Sequence, residues 1–136
     1  MKQIILVAET GSPEFATRYG IEMVPMHVNF AEETLDDGSF PAERIRTYYQ
    51  ETGKLPKTSG STPEDFEKKF DEIHAKWPEA QILYLAYSAV TTCSYQSAKI
   101  AAEDRDYVSM LDTRQVSVGQ RAIVVTLAQI MEANPG

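Results

Sequence analysis

Gln81-Ile82-Leu83-Tyr84-Leu85-Ala86-Tyr87 is an unbroken apolar run of strand length, and Ser88-Ala89-Val90-Thr91-Thr92-Cys93-Ser94-Tyr95 follows it directly. A strand that empties into a hydroxyl-rich loop and then into helical periodicity is one half of an α/β repeat. Downstream, Tyr95, Ala98, Ile100 and Ala101 predict a helix over 91–103. Tyr107 to Leu111 reads as a short strand. Val118, Ile123, Val125, Leu127, Ile130 and Met131 predict a last helix over 116–133. Upstream, Phe66, Phe70, Ile73 and Trp77 form one apolar helical face that closes at Pro78. Before it, Pro41 opens a helix carrying Ile45, Tyr48 and Tyr49 and ending near Gly53, after the turn Leu35-Asp36-Asp37-Gly38. Ile21 to Phe30 reads as extended, with Pro25 marking an edge, bulge or strand start. Pro13 to Tyr19 reads as a short helix ended by Gly20. Ile4 to Ala8 reads as a β-branched strand of the kind covered on both faces. Strands alternating with helices predict an α/β domain with a mostly parallel sheet.

The 136 residues fit one domain, with 43% hydrophobic and 24% charged residues, as in a globular protein. A net charge of -7 argues against nucleic acid, whose binding needs Lys and Arg on phosphates. It argues equally against an anionic membrane surface. The single cysteine excludes an intrachain disulfide and suits a reducing cytoplasm. The first apolar run stops at Glu9, too short for a signal core or a transmembrane segment.

Ligands of open α/β sheets bind outside the carboxyl ends of the strands. There this sequence gathers Glu9-Thr10-Gly11-Ser12, Ser88 to Tyr95, and Asp112-Thr113-Arg114-Gln115-Val116-Ser117. A further stretch, Lys57-Thr58-Ser59-Gly60-Ser61-Thr62-Pro63-Glu64, delivers hydroxyls and free N–H groups to a helix start. Pro63 fits the first helical position. Ser61 and Glu64 have capping-box spacing, with Thr62 as the other candidate cap. Helix capping explains each stretch singly. Several hydroxyl-rich caps on one edge are more than capping needs, and they suit an anionic head group.

In these residues the chain resembles the N-terminal domain of the DegV family, the bacterial fatty-acid-binding proteins. Val7-Ala8-Glu9-Thr10 stands at the family's strand and Asp-Ser turn, Ile21 to Pro25 at its Ile-x-x-x-Pro strand, and Asp37-Gly38 at its Asp-Gly turn. Lys57-Thr58-Ser59 with Pro63-Glu64-Asp65-Phe66 matches its Lys-Thr-Ser loop and Pro-x-x-Phe. Ser88 through Ala98, with Tyr95-Gln96-Ser97-Ala98 intact, matches its Ser-Ser-x-Leu-Ser-Gly-Thr-Tyr-Gln-Ser-Ala. Asp112-Thr113 and Ser117-Val118-Gly119 match its last turn. The departures are Glu9 for Asp, Thr10 for Ser, Ala89 for Ser, Thr91 for Leu, Thr92 for Ser and Cys93 for Gly.

The resemblance implies a three-layer α/β/α fold and a cytoplasmic binding protein for a long-chain fatty acid, without a cofactor or a catalytic residue of its own. It implies that Thr58 and Thr92 hold the carboxylate with the Cys93 N–H, in a set with Ser59, Ser61, Ser88, Ser94, Glu9 and Thr10. It implies presentation of the carboxyl to a separate ATP-using, dihydroxyacetone-kinase-like fatty acid kinase subunit, which forms an acyl phosphate. Family members carry a second domain that completes the tunnel. This sequence ends at Asn134-Pro135-Gly136 just after a helix, so one domain over 1–136 is expected, with the second absent.

Two alternatives stand beside that reading. One is a small α/β enzyme or phosphotransfer module using Thr or Cys at the same edge; the other is an interaction domain that forms a homodimer through the face a second domain would cover. Cysteine catalysis at Cys93 needs a base, and only His27 and His74 are available, the latter expected to face solvent. No zinc spacing, glycine-rich phosphate loop or calcium loop is present. Tyr48-Tyr49 and the Phe66, Phe70 and Trp77 face are expected in the core.

Overall fold

The computed structural model describes residues 3–9 and 13–134. Its main sheet contains β1 (Ile4–Ala8), β2 (Ile21–Met23), β6 (Gln81–Ala86) and β7 (Val108–Asp112), in the order β2-β1-β6-β7 and all parallel. A second sheet of β3 (His27–Phe30), β4 (Glu33–Asp36) and β5 (Lys57–Ser59) has the order β4-β3-β5 and is antiparallel. The helices are α1 (Pro13–Tyr19), α2 (Glu43–Thr52), α3 (Pro63–Lys76), α4 (Ser94–Ala102) and α5 (Ser117–Ala133).

The main sheet is the middle of three layers. On one face Ile5, Val7, Ile82, Tyr84 and Ala86 pack against Phe66, Phe70 and Ile73 of α3 and Ala98 and Ala101 of α4. On the other, Leu6, Ala8, Ile21 and Leu85 pack against Phe15 of α1 and Val124 of α5. Alternate residues of β1 and β6 therefore serve different cores, which is why both strands read as continuous apolar runs.

Several elements differ from the sequence expectation. The extended segment over 21–30 is two strands in two sheets. The Val24 N–H still bonds to Ala8 O at 2.9 Å; Pro25 has no N–H with which to continue, and the chain turns into β3. β4 and β5 are strands in which every residue but Leu35 is polar. The capping box at α3 lies one residue later than Ser61 and Glu64: Thr62 Oγ1 accepts the Asp65 N–H and Asp65 accepts the Thr62 N–H. Ser61 is unavailable because its hydroxyl donates to Pro25 O at 2.7 Å.

α4 begins at Ser94, since Thr91 to Cys93 are spent on a turn held by Ser88 O. On α5 the buried residues are Gln120 and Val124, whereas Val118 is 77% exposed. Tyr49 is exposed, and Tyr48 packs edge-on against Phe30. His74 is half-buried, stacked on Tyr107 at 4.1 Å, rather than facing solvent. Among the described residues no helix is long and apolar enough to cross a membrane.

Candidate functional site

β1 and β6 lie side by side, yet β1 leads to α1 on one face and β6 leads to α4 on the other. The strand order reverses between them. Such a switch point leaves a crevice beyond the carboxyl ends of the two strands, which end here at Glu9 and Tyr87. The second sheet sits against this opening. An open cleft of ≈ 430 Å³ results, lined by Met26, Thr58, Ser59, Gly60, Tyr87, Thr91, Thr92, Cys93 and Val116.

Two walls meet in it. The first is β5, paired to β3 with Val28 opposite Thr58 and His27 opposite Ser59. The Ser59 hydroxyl accepts from Asn29 Nδ2 at 3.4 Å, and Asn29 in turn accepts from Thr34 at 2.7 Å. Thr58 is exposed, and among the described residues its hydroxyl makes no bond within the chain. The second wall is the turn before α4. Its N-cap, Cys93, is exposed and has helical angles (φ -78, ψ -7). That conformation does not require glycine. Thr92 Oγ1 accepts the Ser94 N–H at 3.3 Å, taking over the cap that Cys93 does not provide.

Gly60 lets the walls touch. A Cβ there would stand 2.7 Å from Ser94 Oγ, 2.7 Å from Thr92 Oγ1 and 3.2 Å from Cys93 Sγ. Only a residue without a side chain allows this approach. Behind it the walls are stitched by the Ser61 N–H, which donates to Ser94 Oγ at 3.0 Å, both residues being fully buried.

Of the residues singled out in the sequence, Thr58, Ser59, Thr92 and Cys93 line the cleft. Ser61, Ser88, Ser94 and Glu9 are buried behind it. Thr10 lies outside the described residues. Ser88 anchors the turn: its N–H donates to Gln115 O at 3.0 Å and its carbonyl accepts from Thr91. Asp112 Oδ1 accepts the N–H groups of Ala89 and Arg114, fixing the loop that brings Val116 to the cleft. Glu9 Oε2 accepts the Tyr87 N–H at 3.0 Å. Burial pushes the Glu9 carboxyl above its ordinary pKa, against the lowering effect of that N–H and of nearby hydroxyls.

Met26, Tyr87, Thr91 and Val116 were not among the predicted site residues. Tyr87 and Val116 adjoin strand and helix ends, where a place beside the ligand edge was legible. Met26 had no such signal.

Among the described residues no charged side chain lines the cleft. It offers neutral hydroxyls and a thiol at the start of α4, where the first-turn N–H groups lack intrahelical acceptors. Uncharged donors of this kind match an acceptor-only carboxylate. His27 is held by Asp36 and Asp65 instead, and neither histidine lines the cleft, so Cys93 has no base there. Among the described residues no cluster of side chains could hold a metal ion.

Known proteins share this fold. The family model described as "Uncharacterised protein, DegV family" matches residues 8–135. A protein of Thermotoga maritima named "Fatty acid-binding protein" is 30% identical over 122 residues, which cover 83% of this chain and 41% of that protein. A DegV domain-containing protein of Clostridium perfringens is 26% identical over 125 residues, 90% of this chain and 44% of its relative. A solved structure from Thermus thermophilus, described as fatty acid binding of a DegV family protein, aligns with a TM-score of 0.84 at 26% identity, over 97% of this chain and 48% of that one. The chain thus spans less than half the length of these relatives. With nearly every residue inside the family match and the same three layers around the same parallel sheet, the chain belongs to the DegV family.

Proposed function

We propose that the chain binds the carboxylate end of a long-chain fatty acid, with the Thr58 and Thr92 hydroxyls and the Cys93 N–H as its donors and Ser59 beside them. The observation that carries this reading is the cleft itself. Thr58 and Thr92, far apart in sequence, border one opening that holds several neutral donors and, among the described residues, no charge. A hydrogen bond to an ionised carboxylate contributes about 1.5–3 kcal/mol. The acyl chain would leave past Met26, Tyr87 and Val116, gaining about 0.8 kcal/mol for each CH₂ withdrawn from water. Relatives named for fatty acid binding support the ligand class.

The chain would supply one wall of the lipid site, the rest coming from the portion of its relatives that it does not match. In this reading the exposed carboxyl is handed to a separate fatty acid kinase subunit that phosphorylates it, so the chain presents a substrate and performs no chemistry.

Native mass spectrometry of the protein purified from bacteria, followed by lipid extraction, tests the reading. A non-covalent mass matching a long-chain fatty acid, lost or reduced at least tenfold in occupancy by Thr58→Ala, is expected. A clean apo mass that stays apo with added oleate would overturn autonomous binding. Retention of the lipid by both Thr58→Ala and Thr92→Val would overturn the assigned donors.

A further inference from the structure

His27 ties the movable wall of the cleft to α3 without lining the cleft itself. It lies on β3, opposite Ser59 of β5 and opposite Asp36 of β4. Its side chain is 15% exposed and meets a carboxylate at each ring nitrogen. Nδ1 is 3.0 Å from Asp36 Oδ1, and Nε2 is 2.7 Å from Asp65 Oδ2. Asp65 stands in the first turn of α3, and the same Oδ2 accepts the Thr62 N–H at 2.7 Å and the Thr62 hydroxyl at 2.9 Å. Thr62 ends the connection Gly60-Ser61-Thr62 that leads out of β5. One carboxylate oxygen thus fastens both the strand beside β5 and the segment that follows it.

The ring can satisfy both carboxylates in one protonation state only. A neutral imidazole has one N–H and one bare lone pair, whereas imidazolium donates from both nitrogens, and an ionised carboxylate only accepts. The neutral ring therefore bonds one carboxylate and turns a lone pair on the other. The pKa agrees with this count: burial works to lower it, but Asp65 and Asp36 raise it above the ordinary 6.5. Among the described residues the other charges nearby belong to α3, whose Lys68, Lys69 and Glu72 share an opening of ≈ 210 Å³ with Asp36 and Asp65. Lys69 is paired with Glu22 of β2 at 3.8 Å and with Glu72 at 3.1 Å. Asp37, beside Asp36, lies at a separate opening with Glu22 and Lys69. β5 presents the uncharged Ser59.

β5 has little else to hold it. All three of its residues are exposed, so no side chain anchors it in a core. Its place, and with it that of Thr58, follows from pairing with β3 and from the connection to α3. We propose that His27 is a positioning residue for this wall: as imidazolium it fixes β3 and β5 to α3 and holds the Thr58 hydroxyl where a carboxylate in the cleft meets it, and on losing a proton it releases one carboxylate and loosens the wall. The inference rests on the fatty-acid reading above. The only bond broken is one imidazolium N–H, whose proton passes to solvent.

Calorimetric titration with oleate between about pH 6 and about pH 9 tests it, with NMR of the two histidine rings in parallel. Affinity should fall about fivefold as pH rises through the His27 titration, the effect of one hydrogen bond lost from the wall. By reciprocity, bound oleate should raise the His27 pKa by about 0.7 unit. Asp36→Asn separates positioning from mere stability. Its amide can donate to Nδ1 of a neutral ring whose Nε2–H still donates to Asp65, so affinity should stay at the acidic value and become flat with pH. His27→Gln should be flat at the weaker, alkaline value; should it fail to fold, Asp36→Asn carries the test, since that side chain is 57% exposed. A purely structural histidine would leave the affinity profile of Asp36→Asn as steep as before. That result, or affinity in the unaltered protein that does not fall with pH, overturns this inference alone. No oleate binding at any pH overturns the fatty-acid reading and this inference with it.

Discussion

The two sheets that border the cleft are built in opposite ways. The four-stranded sheet buries both faces, and its central strands carry Val7, Ile82, Tyr84 and Leu85 at essentially no exposure. In the three-stranded sheet, Glu33, Thr34, Asp36, Lys57, Thr58 and Ser59 are exposed. Its buried apolar residues are Val28 and Phe30, and Phe30 packs edge-on against Phe40 and Tyr48. It is joined to the rest by a few polar stitches: Ser61 to Pro25 and Ser94, and His27 to Asp65. One side of the cleft is therefore fixed by the core, and the other is hung on hydrogen bonds. The proposed binding and release of a lipid head group would gain from that asymmetry, because local opening can move one wall without disturbing the other.

The largest effect expected separates the sheets directly. Phe66 is fully buried, edge-on to Tyr84 at 4.9 Å. Phe66→Ala should cost about 3–5 kcal/mol and lower the midpoint of the whole denaturation curve. Phe30→Ala removes the same side chain from the second sheet. Its expected signature is faster hydrogen exchange in β3, β4 and β5, with β1 and β6 keeping their protection. A global loss equal to that of Phe66→Ala would break the contrast.

Gly60→Ala acts where the walls meet. The new methyl would sit 2.7 Å from two hydroxyl oxygens of the fixed wall, so either those hydroxyls rotate out of their bonds or the walls part. Overpacking of this kind costs about 1–3 kcal/mol, read from urea denaturation. A neutral result would show that the contact yields, through the hydroxyls or through the second sheet, at no cost.

The same contrast sets how much of the molecule the sequence disclosed. β1 and β6 were legible because central strands covered on both faces need continuous apolar runs, and β7, at the edge with Leu111 exposed, was legible as a short apolar stretch. β4 and β5 were not, since Glu33-Thr34-Leu35-Asp36 and Lys57-Thr58-Ser59 bury little and are strands through pairing with β3 alone. On α5, Val125, Leu127 and Met131 pack on the core as expected, but the core also takes Gln120, whose amide donates to Leu85 O at 2.9 Å, while Val118 is exposed. At the site, the hydroxyl clusters announced Thr58, Ser59, Thr92 and Cys93. Nothing in composition or spacing could show that Ser61 and Ser94 turn inward to bond each other, which depends on contact between segments distant in sequence.

The next effect is pH-dependent and tests a stitch. His27 lies between Asp65, 2.7 Å from Nε2, and Asp36, 3.0 Å from Nδ1. Burial alone would lower its pKa, but the two carboxylates prevail and raise it above the ordinary 6.5. A raised folded-state pKa means that the stabilisation is fully present below the unfolded value and is lost as pH rises through the folded one. Asp65 is opposed by its burial but held below the ordinary 3.8 by the Thr62 N–H and His27. Its share is present above 3.8 and is lost as pH falls through the lowered value. His27→Gln should therefore cost roughly 1 kcal/mol in mildly acidic solution, and less at alkaline pH, in urea denaturation across pH. A penalty that grows with pH would contradict the stitch.

The smallest effect concerns the fixed wall, at the one position where glycine was expected from the family pattern. Cys93 has right-handed helical angles, so its side chain creates no backbone strain. Its thiol makes no cap, and the work of capping falls to Thr92. Serine favours N-caps when the backbone there is extended, and at φ -78, ψ -7 it has no such advantage. Cys93→Ser should leave stability within about 0.5 kcal/mol. Because the proposed donor at this residue is the backbone N–H, oleate affinity should change less than threefold, or about 0.65 kcal/mol. A tenfold loss in the serine variant would instead put the thiol against the ligand and make the fixed wall depend on the cysteine side chain.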